Sequence, residues 1–210
     1  MKLRVSPIGD TLPIDLLGVP KKRMKTAKVV FLDRDGVINK YPGDFLYVTA
    51  LSEFSILPRV QQALKKLTHA GYKIFIVSNQ AGVSKCVYPQ ETLDLITHNM
   101  LGNFKKHGIV VSGVYYCTHR PEDNCVCRKP KTGLVDMAIS KLKDEGLDPE
   151  LQKSYFVGDT IRDIDTGRAA GLKTILVFSG KEKPENKNSW LSLPDFVARD
   201  LFEAVNIILK

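Results

Sequence analysis

No stretch of these 210 residues approaches the roughly 18 to 20 consecutive apolar positions that a bilayer-spanning helix requires. The first 23 residues are interrupted by Pro7, Gly9, Asp10, Pro13 and Asp15, so they lack the continuous hydrophobic segment of an export signal. Internal repeats and low-complexity tracts are missing too, which argues against repeat architectures. Cysteine is scarce, and four of them in a chain without export features suggest thiols or a metal site more than a disulfide framework. Aromatics make up 8% and are not interleaved with the scattered basic residues, as a single-strand nucleic-acid binder would need. A soluble, cytoplasmic monomer with no membrane partner is expected, and nucleic acid is the less favoured ligand.

A formal net charge of +8 fits an anionic ligand such as a phosphate ester, although nucleic acid or a plain solvated basic surface would satisfy it as well. At 43% hydrophobic residues the chain supports one substantial core, hence one domain, expected over 28–210 behind an arm at 1–27 that shows no clear period.

Short apolar runs at 29–32, 73–78, 111–116, 154–158 and 173–178 read as strands, several of them apolar on both faces as in a buried parallel sheet. Helical spacing occupies 58–70, 89–107, 132–145 and 161–170, with Gly71, Gly108, Gly146 and Gly171 where helices commonly stop. A loop at 180–192 and a last helix over about 195–209 complete the chain. Alternating strands and helices predict an α/β fold: a doubly wound, Rossmann-like parallel sheet with helices on both faces. Ligands bind such sheets beyond the strands' carboxyl ends, and here Asp33, Asp35, Ser78, the cysteine loop and Asp159 all follow strands.

Residues 28–39, KVVFLDRDGVIN, deliver Asp33 and Asp35 from a strand into a glycine turn. Two carboxylates one residue apart can share a metal ion while one attacks as a nucleophile. Downstream, Cys117, His119, Cys125 and Cys127 form two pairs at i, i+2 spacing, each presenting two soft ligands on one side of an extended backbone. The turn at 121–124 can fold the pairs together into a closed, tetrahedral, structural Zn2+ site, with free core thiols or a disulfide as the plain alternatives. Cys86 is left over, and His69, His98 and His107 read as solvated.

The ordered set DRDG (33–36), SNQ (78–80), RKP (128–130) and GDTIRD (158–163) resembles the four motifs of the haloacid dehalogenase superfamily of phosphotransferases. With YYCTHRPEDNCVCRKP it is similar to the zinc-containing branch that includes heptose-bisphosphate and histidinol phosphatases, the former more closely. The resemblance implies a phosphomonoesterase acting on a small phosphorylated sugar, with Asp33 as nucleophile, Asp35 as acid and base, and Mg2+ held by Asp33, Asp159 and the backbone carbonyl of Asp35. Ser78 and Lys129 would contact the phosphoryl oxygens, and Asp163 would orient Lys129 or backbone amides. Taken singly, Ser78 or Asp159 could instead cap a helix or turn, and Lys129 could be a solvated lysine. Substrate contacts carry over to Tyr41, Pro42, Gly43, Asp44, Ser78, Asn79, Gln80, Ala81 and Arg128. Ser78, Ala81, Cys86 and Thr132 depart from the family's usual Thr, Ser, Gly and Pro. The spacings leave no room for an inserted cap domain, so the expected crevice is open. A polynucleotide 3'-phosphatase and a zinc-stabilised, non-catalytic binding protein are the remaining readings.

Overall fold

The computed structural model describes residues 24–210. Most of the expected arm, residues 1–23, lies outside the described residues. Its last part is ordered: Lys25–Ala27 (β1) pairs in parallel with Leu147–Pro149 (β5).

The main sheet contains Val29–Leu32 (β2), Lys73–Asn79 (β3), Gly113–Cys117 (β4), Tyr155–Gly158 (β6), Lys173–Val177 (β7) and Phe196–Ala198 (β8). All are parallel, in the spatial order β4-β3-β2-β6-β7-β8. The connecting helices are Val60–His69 (α1), Gln90–Lys106 (α2), Gly133–Asp144 (α3) and Ile161–Ala169 (α4), and Leu201–Ile208 (α5) ends the fold.

Strand β2 is buried on both faces, and its period of two divides the core. Val30 and Leu32 pack with residues of α1, α2 and α5, whereas Val29 and Phe31 pack with α3. Helix α4 joins the second face through Gly167, where a Cβ would come within 2.7 Å of Phe156 and of Thr174. Helices therefore cover both sides, as the βαβ alternation predicts.

Two boundaries differ from expectation. Strand β4 is shifted to 113–117, so Cys117 is itself a strand residue. The expected helix at 195–209 divides into β8 and α5. Phe196, Val197 and Ala198 extend the sheet by pairing with β7, and Asp200 then caps α5, its carboxylate accepting from the Glu203 amide at 2.9 Å.

After β4 the chain crosses to the opposite side of β2 and continues outward through β6, β7 and β8. The gap between the carboxyl ends of β2 and β6 is therefore the topological switch point, where an open α/β sheet binds its ligand. Among the described residues, only loop, a three-residue 3-10 turn at Leu51–Glu53 and α1 separate β2 from β3, and only loop and α2 separate β3 from β4, so no cap domain covers this gap.

Phe31 is fully buried between Phe75 and Phe156, with ring centroids 5.7 and 6.3 Å away. Replacing Phe31 by Ala should cost about 3 to 5 kcal/mol of stability. Urea unfolding followed by circular dichroism measures it, and a loss below about 1 kcal/mol would contradict this packing.

Candidate active site

Asp33 leaves β2 at the switch point, its amide bonded to the Val157 carbonyl of β6 at 3.0 Å. Asp159 leaves β6 beside it and is buried, and Asp163 sits in the first turn of α4. Oxygen atoms of Asp33, Asp159 and Asp163 all lie within 4.8 Å of one another. Gly36 makes this convergence possible: its φ is +82°, and a Cβ there would stand 2.2 Å from Asp159 Oδ2.

Lys129 enters this group from the loop after the cysteine cluster and is itself buried. Its ammonium pairs with Asp33 Oδ2 at 2.9 Å and Asp163 Oδ1 at 2.6 Å, and donates to the Val77 carbonyl at 3.1 Å. Asn79 clamps the same residue's main chain, donating to the Lys129 carbonyl at 3.2 Å and accepting from its amide at 3.1 Å. Asp163 also accepts from the amide and hydroxyl of Thr160, at 3.0 and 2.7 Å. The cap of α4 is thus made by Thr160 and Asp163, which leaves Asp159 free of that role.

Burial pushes the Asp33 carboxyl above its ordinary range; Lys129 and a hydrogen bond from Ser78 pull it back, while Asp163 and Asp35 add to the rise. Asp159 is raised well above that range by burial, then by Asp33 and Asp163. Burial works against the Lys129 ammonium, but Asp163 and Asp33 outweigh it and hold its pKa above the usual value.

The Asp35 side chain stands apart from the three-carboxylate group. Arg34 grips it through Nε at 3.1 Å and Nη2 at 2.9 and 3.0 Å, while Asn39 Nδ2 and Gln80 Nε2 donate at 2.8 and 2.9 Å. Asp163, not Asp35, supplies the third clustered carboxylate. Arg34 is fully buried between the rings of Phe54 and Tyr116, and Asp35 helps keep its pKa raised despite burial. Sequence reasoning passed over Arg34; an arginine flanked by two aspartates was the available signal.

Gln80, an expected substrate contact, turns its side chain inward. Its side chain is 1% exposed, donates to Asp35 and to Ser78 Oγ, and accepts from the Tyr88 hydroxyl at 2.8 Å. Tyr41, Pro42, Gly43, Asp44, Ser78, Asn79, Ala81 and Arg128 do line the crevice above Asp33, a space of about 290 Å3. Lys85, Arg162 and Lys181 add positive charge to its walls. A wider groove of about 680 Å3 between the 51–59 loop, α1 and α2 has no carboxylate, cysteine or histidine in its lining.

Four carboxylates, Asp33, Asp35, Asp159 and Asp163, thus meet two buried cations, Arg34 and Lys129, leaving two negative charges uncompensated. Hard oxygen donors with that deficit fit a divalent cation such as Mg2+.

The second cluster is Cys117, His119, Cys125 and Cys127. Neighbouring donor atoms are 3.6 Å apart for Cys117–Cys125, 3.5 Å for Cys125–Cys127, 3.3 Å for His119–Cys127 and 3.7 Å for Cys117–His119. A tetrahedral zinc site with bonds of about 2.0 to 2.3 Å has edges of about 3.3 to 3.8 Å, so the four side chains fit that ion. Lys131 donates to the Asn124 and Cys125 carbonyls, and Arg120 reaches across to the Ser84 carbonyl at 2.9 and 2.6 Å. Cys86, His69, His98 and His107 are exposed, away from both clusters.

Residues 126–204 match the HAD-hydrolase-like family model. The D-glycero-D-manno-heptose-1,7-bisphosphate 7-phosphatase of Chlorobaculum tepidum is 33% identical over 189 residues, covering 87% of this chain and 94% of its own. The D-glycero-beta-D-manno-heptose-1,7-bisphosphate 7-phosphatase of Haemophilus ducreyi is 38% identical over 162 residues, 73% of this chain and 85% of that relative. Among solved structures, the D,D-heptose 1,7-bisphosphate phosphatase of B. bronchiseptica, complexed with magnesium and phosphate, superposes with a TM-score of 0.75 at 30% identity, covering 87% of this chain and 98% of that one. Sheet order, carboxylate cluster and similarity over 87% of the chain agree: this chain is a phosphomonoester hydrolase that belongs to the haloacid dehalogenase superfamily, in the branch of the heptose-bisphosphate phosphatases.

Proposed function

We propose that this chain removes the 7-phosphate of D-glycero-D-manno-heptose 1,7-bisphosphate through a phosphorylated Asp33. One observation carries the chemistry: Asp33 lies at the crevice floor, beside Asp159 from the adjacent strand and paired with the buried Lys129. The names of the relatives carry the substrate.

Alkyl phosphates hydrolyse slowly because the anionic phosphoryl group repels nucleophiles and the alkoxide leaves poorly. Asp33 divides the task. Its carboxylate attacks phosphorus in line, the bond from phosphorus to the sugar oxygen breaks, and Asp35 hands its proton to that oxygen. Asp35 then takes a proton from water, which attacks the same phosphorus, releasing phosphate and restoring Asp33. Lys129 and Ser78 hold the phosphoryl oxygens, the first as a charge and the second as a hydrogen-bond donor. Arg34, Asn39 and Gln80 hold Asp35 as a carboxylate before substrate arrives, so Asp35 takes up a proton as it leaves Arg34 and then serves both transfers. Asp33, Asp159 and the main-chain carbonyl of Asp35 would hold Mg2+, which would supply Lewis-acid screening of the phosphoryl charge.

Zn2+ at Cys117, His119, Cys125 and Cys127 is a structural ion, fixing the loop from which Arg128 and Lys129 emerge. Tyr41, Pro42, Gly43, Asp44, Asn79, Ala81 and Arg128 form the walls against the sugar, and Arg128 is suited to its second phosphate. The enzyme acts as a cytoplasmic monomer in one domain that begins with β1 rather than at residue 28.

Phosphate release with Mg2+ should be at least about tenfold more efficient, by kcat/KM, on heptose bisphosphate than on histidinol phosphate or a 3'-phosphorylated oligonucleotide. Equal rates on all three would remove the sugar assignment. Asp33→Asn should lower kcat by about 10³-fold or more while the far-ultraviolet circular dichroism spectrum stays unchanged. Retention of a tenth of the activity would rule out Asp33 as nucleophile. One zinc per chain should be found by atomic absorption, and its chelation should lower both the thermal midpoint and kcat. A metal-free preparation with unaltered melting would refute the structural role.

A further inference from the structure

The segment after β7 belongs to none of the four motifs, yet it lies directly against Asp159. Ser179 anchors it by donating from Oγ to the Gly36 carbonyl at 2.6 Å. Gly180 is buried directly against the carboxylate, and a Cβ there would lie 2.0 Å from Asp159 Oδ2. The Lys181 amide donates to that same oxygen at 2.8 Å, and the Glu182 amide to the Asp159 carbonyl at 3.1 Å. The Lys181 side chain turns the other way. Its ammonium meets Asp44 Oδ1 at 2.7 Å on the far wall of the crevice, and the Tyr41 hydroxyl donates to the same atom at 2.6 Å.

We propose that residues 179–182 form a positioning element whose backbone holds Asp159 in its metal-binding orientation, while the Lys181 side chain ties the crevice loop at Asp44 to that same carboxylate. The inference rests on the reading of Asp159 as a magnesium ligand. With Gly36 on one side and Gly180 on the other, the carboxylate sits in a slot without side chains, and one amide takes one of its oxygens. A carboxylate oxygen of Asp159 lies within 4.8 Å of oxygens of Asp33 and Asp163. A methyl group in the slot forces Asp159 to rotate, because both walls are backbone. The pair between Lys181 and Asp44 is exposed, so it is weak, and its effect is confined to ordering the loop.

Titration calorimetry of the full chain with MgCl2 tests the slot, and hydrogen–deuterium exchange of residues 41–46 tests the tie. Gly180→Ala should weaken Mg2+ binding by about 10- to 100-fold, the usual effect of disturbing the groups that orient a ligand. Ser179→Ala should weaken it severalfold, and this milder variant keeps the metal arm readable should the glycine variant fail to fold. Lys181→Ala retains the amide, so it should leave Mg2+ affinity within about twofold of wild type while speeding exchange across 41–46, as should Asp44→Asn. Wild-type affinity in a folded Gly180→Ala, or in Ser179→Ala if the former does not fold, would overturn the slot. Unchanged exchange in Lys181→Ala would overturn the tie. Wild-type protein that takes up no Mg2+ would sink the reading of Asp159 as a ligand and this inference together, whereas normal uptake with unaffected variants would sink the inference alone.

Discussion

The ammonium of Lys129 is the interaction on which the carboxylate cluster depends. Asp33 and Asp163 share it at 2.9 and 2.6 Å inside the protein, where each unpaired charge would cost several kcal/mol. Without this lysine, α4 would carry a buried carboxylate facing two others, and the carboxyl ends of β2 and β6 could not close together. Every surrounding feature constrains Lys129. Asn79 holds its main chain on both sides, the Val77 carbonyl takes a third proton of the ammonium, and Phe156 of the core lies beneath it at 5.7 Å. The second buried cation, Arg34, does the equivalent for Asp35. The two cations neutralise half of the acidic groups, and the remaining deficit falls around Asp159.

Charge and backbone are thus arranged in two shells. The inner one consists of carboxylates from adjacent strand ends. The outer one consists of groups that fix their direction: Thr160 on Asp163, Gly36 and Gly180 beside Asp159, and Arg34, Asn39 and Gln80 on Asp35. Acidic side chains crowded in this way repel one another and would relax apart if their partners were mobile. The outer groups sit on the turns that follow β2, β3 and β7 and at the start of α4.

In place of a cap domain, loops from several strand ends wall the crevice and are cross-linked to one another. Arg120 joins the cysteine loop to the turn at Ser84, and Lys181 joins the segment after β7 to Asp44. The Cys3His cluster sits at the base of one of these loops, two residues before Lys129. Ordering that loop also places the ammonium, which links the Cys3His cluster to the carboxylate cluster through a short stretch of main chain.

The alternation of strand and helix, the doubly wound class, the strand-end position of Asp33, Ser78 and Asp159, and the spacing of the cysteine pairs were all legible in the sequence. Each depends on local periodicity or on residues a few positions apart, and short-range geometry dictates such features. Asp200 as a cap was also written locally, but it was absorbed into a longer helical pattern because β8 is too short to declare its own period. The tertiary structure alone decided that Gln80 turns inward to Asp35, that Arg34 is buried, and that Gly180 and Lys181 close around Asp159. Lys181 and Asp159 are 22 positions apart, and Gln80 and Asp35 are separated by 45. Which side chains fill the space beside a carboxylate is set by the order of strands in the sheet, and no residue type or spacing along the chain encodes that adjacency on its own.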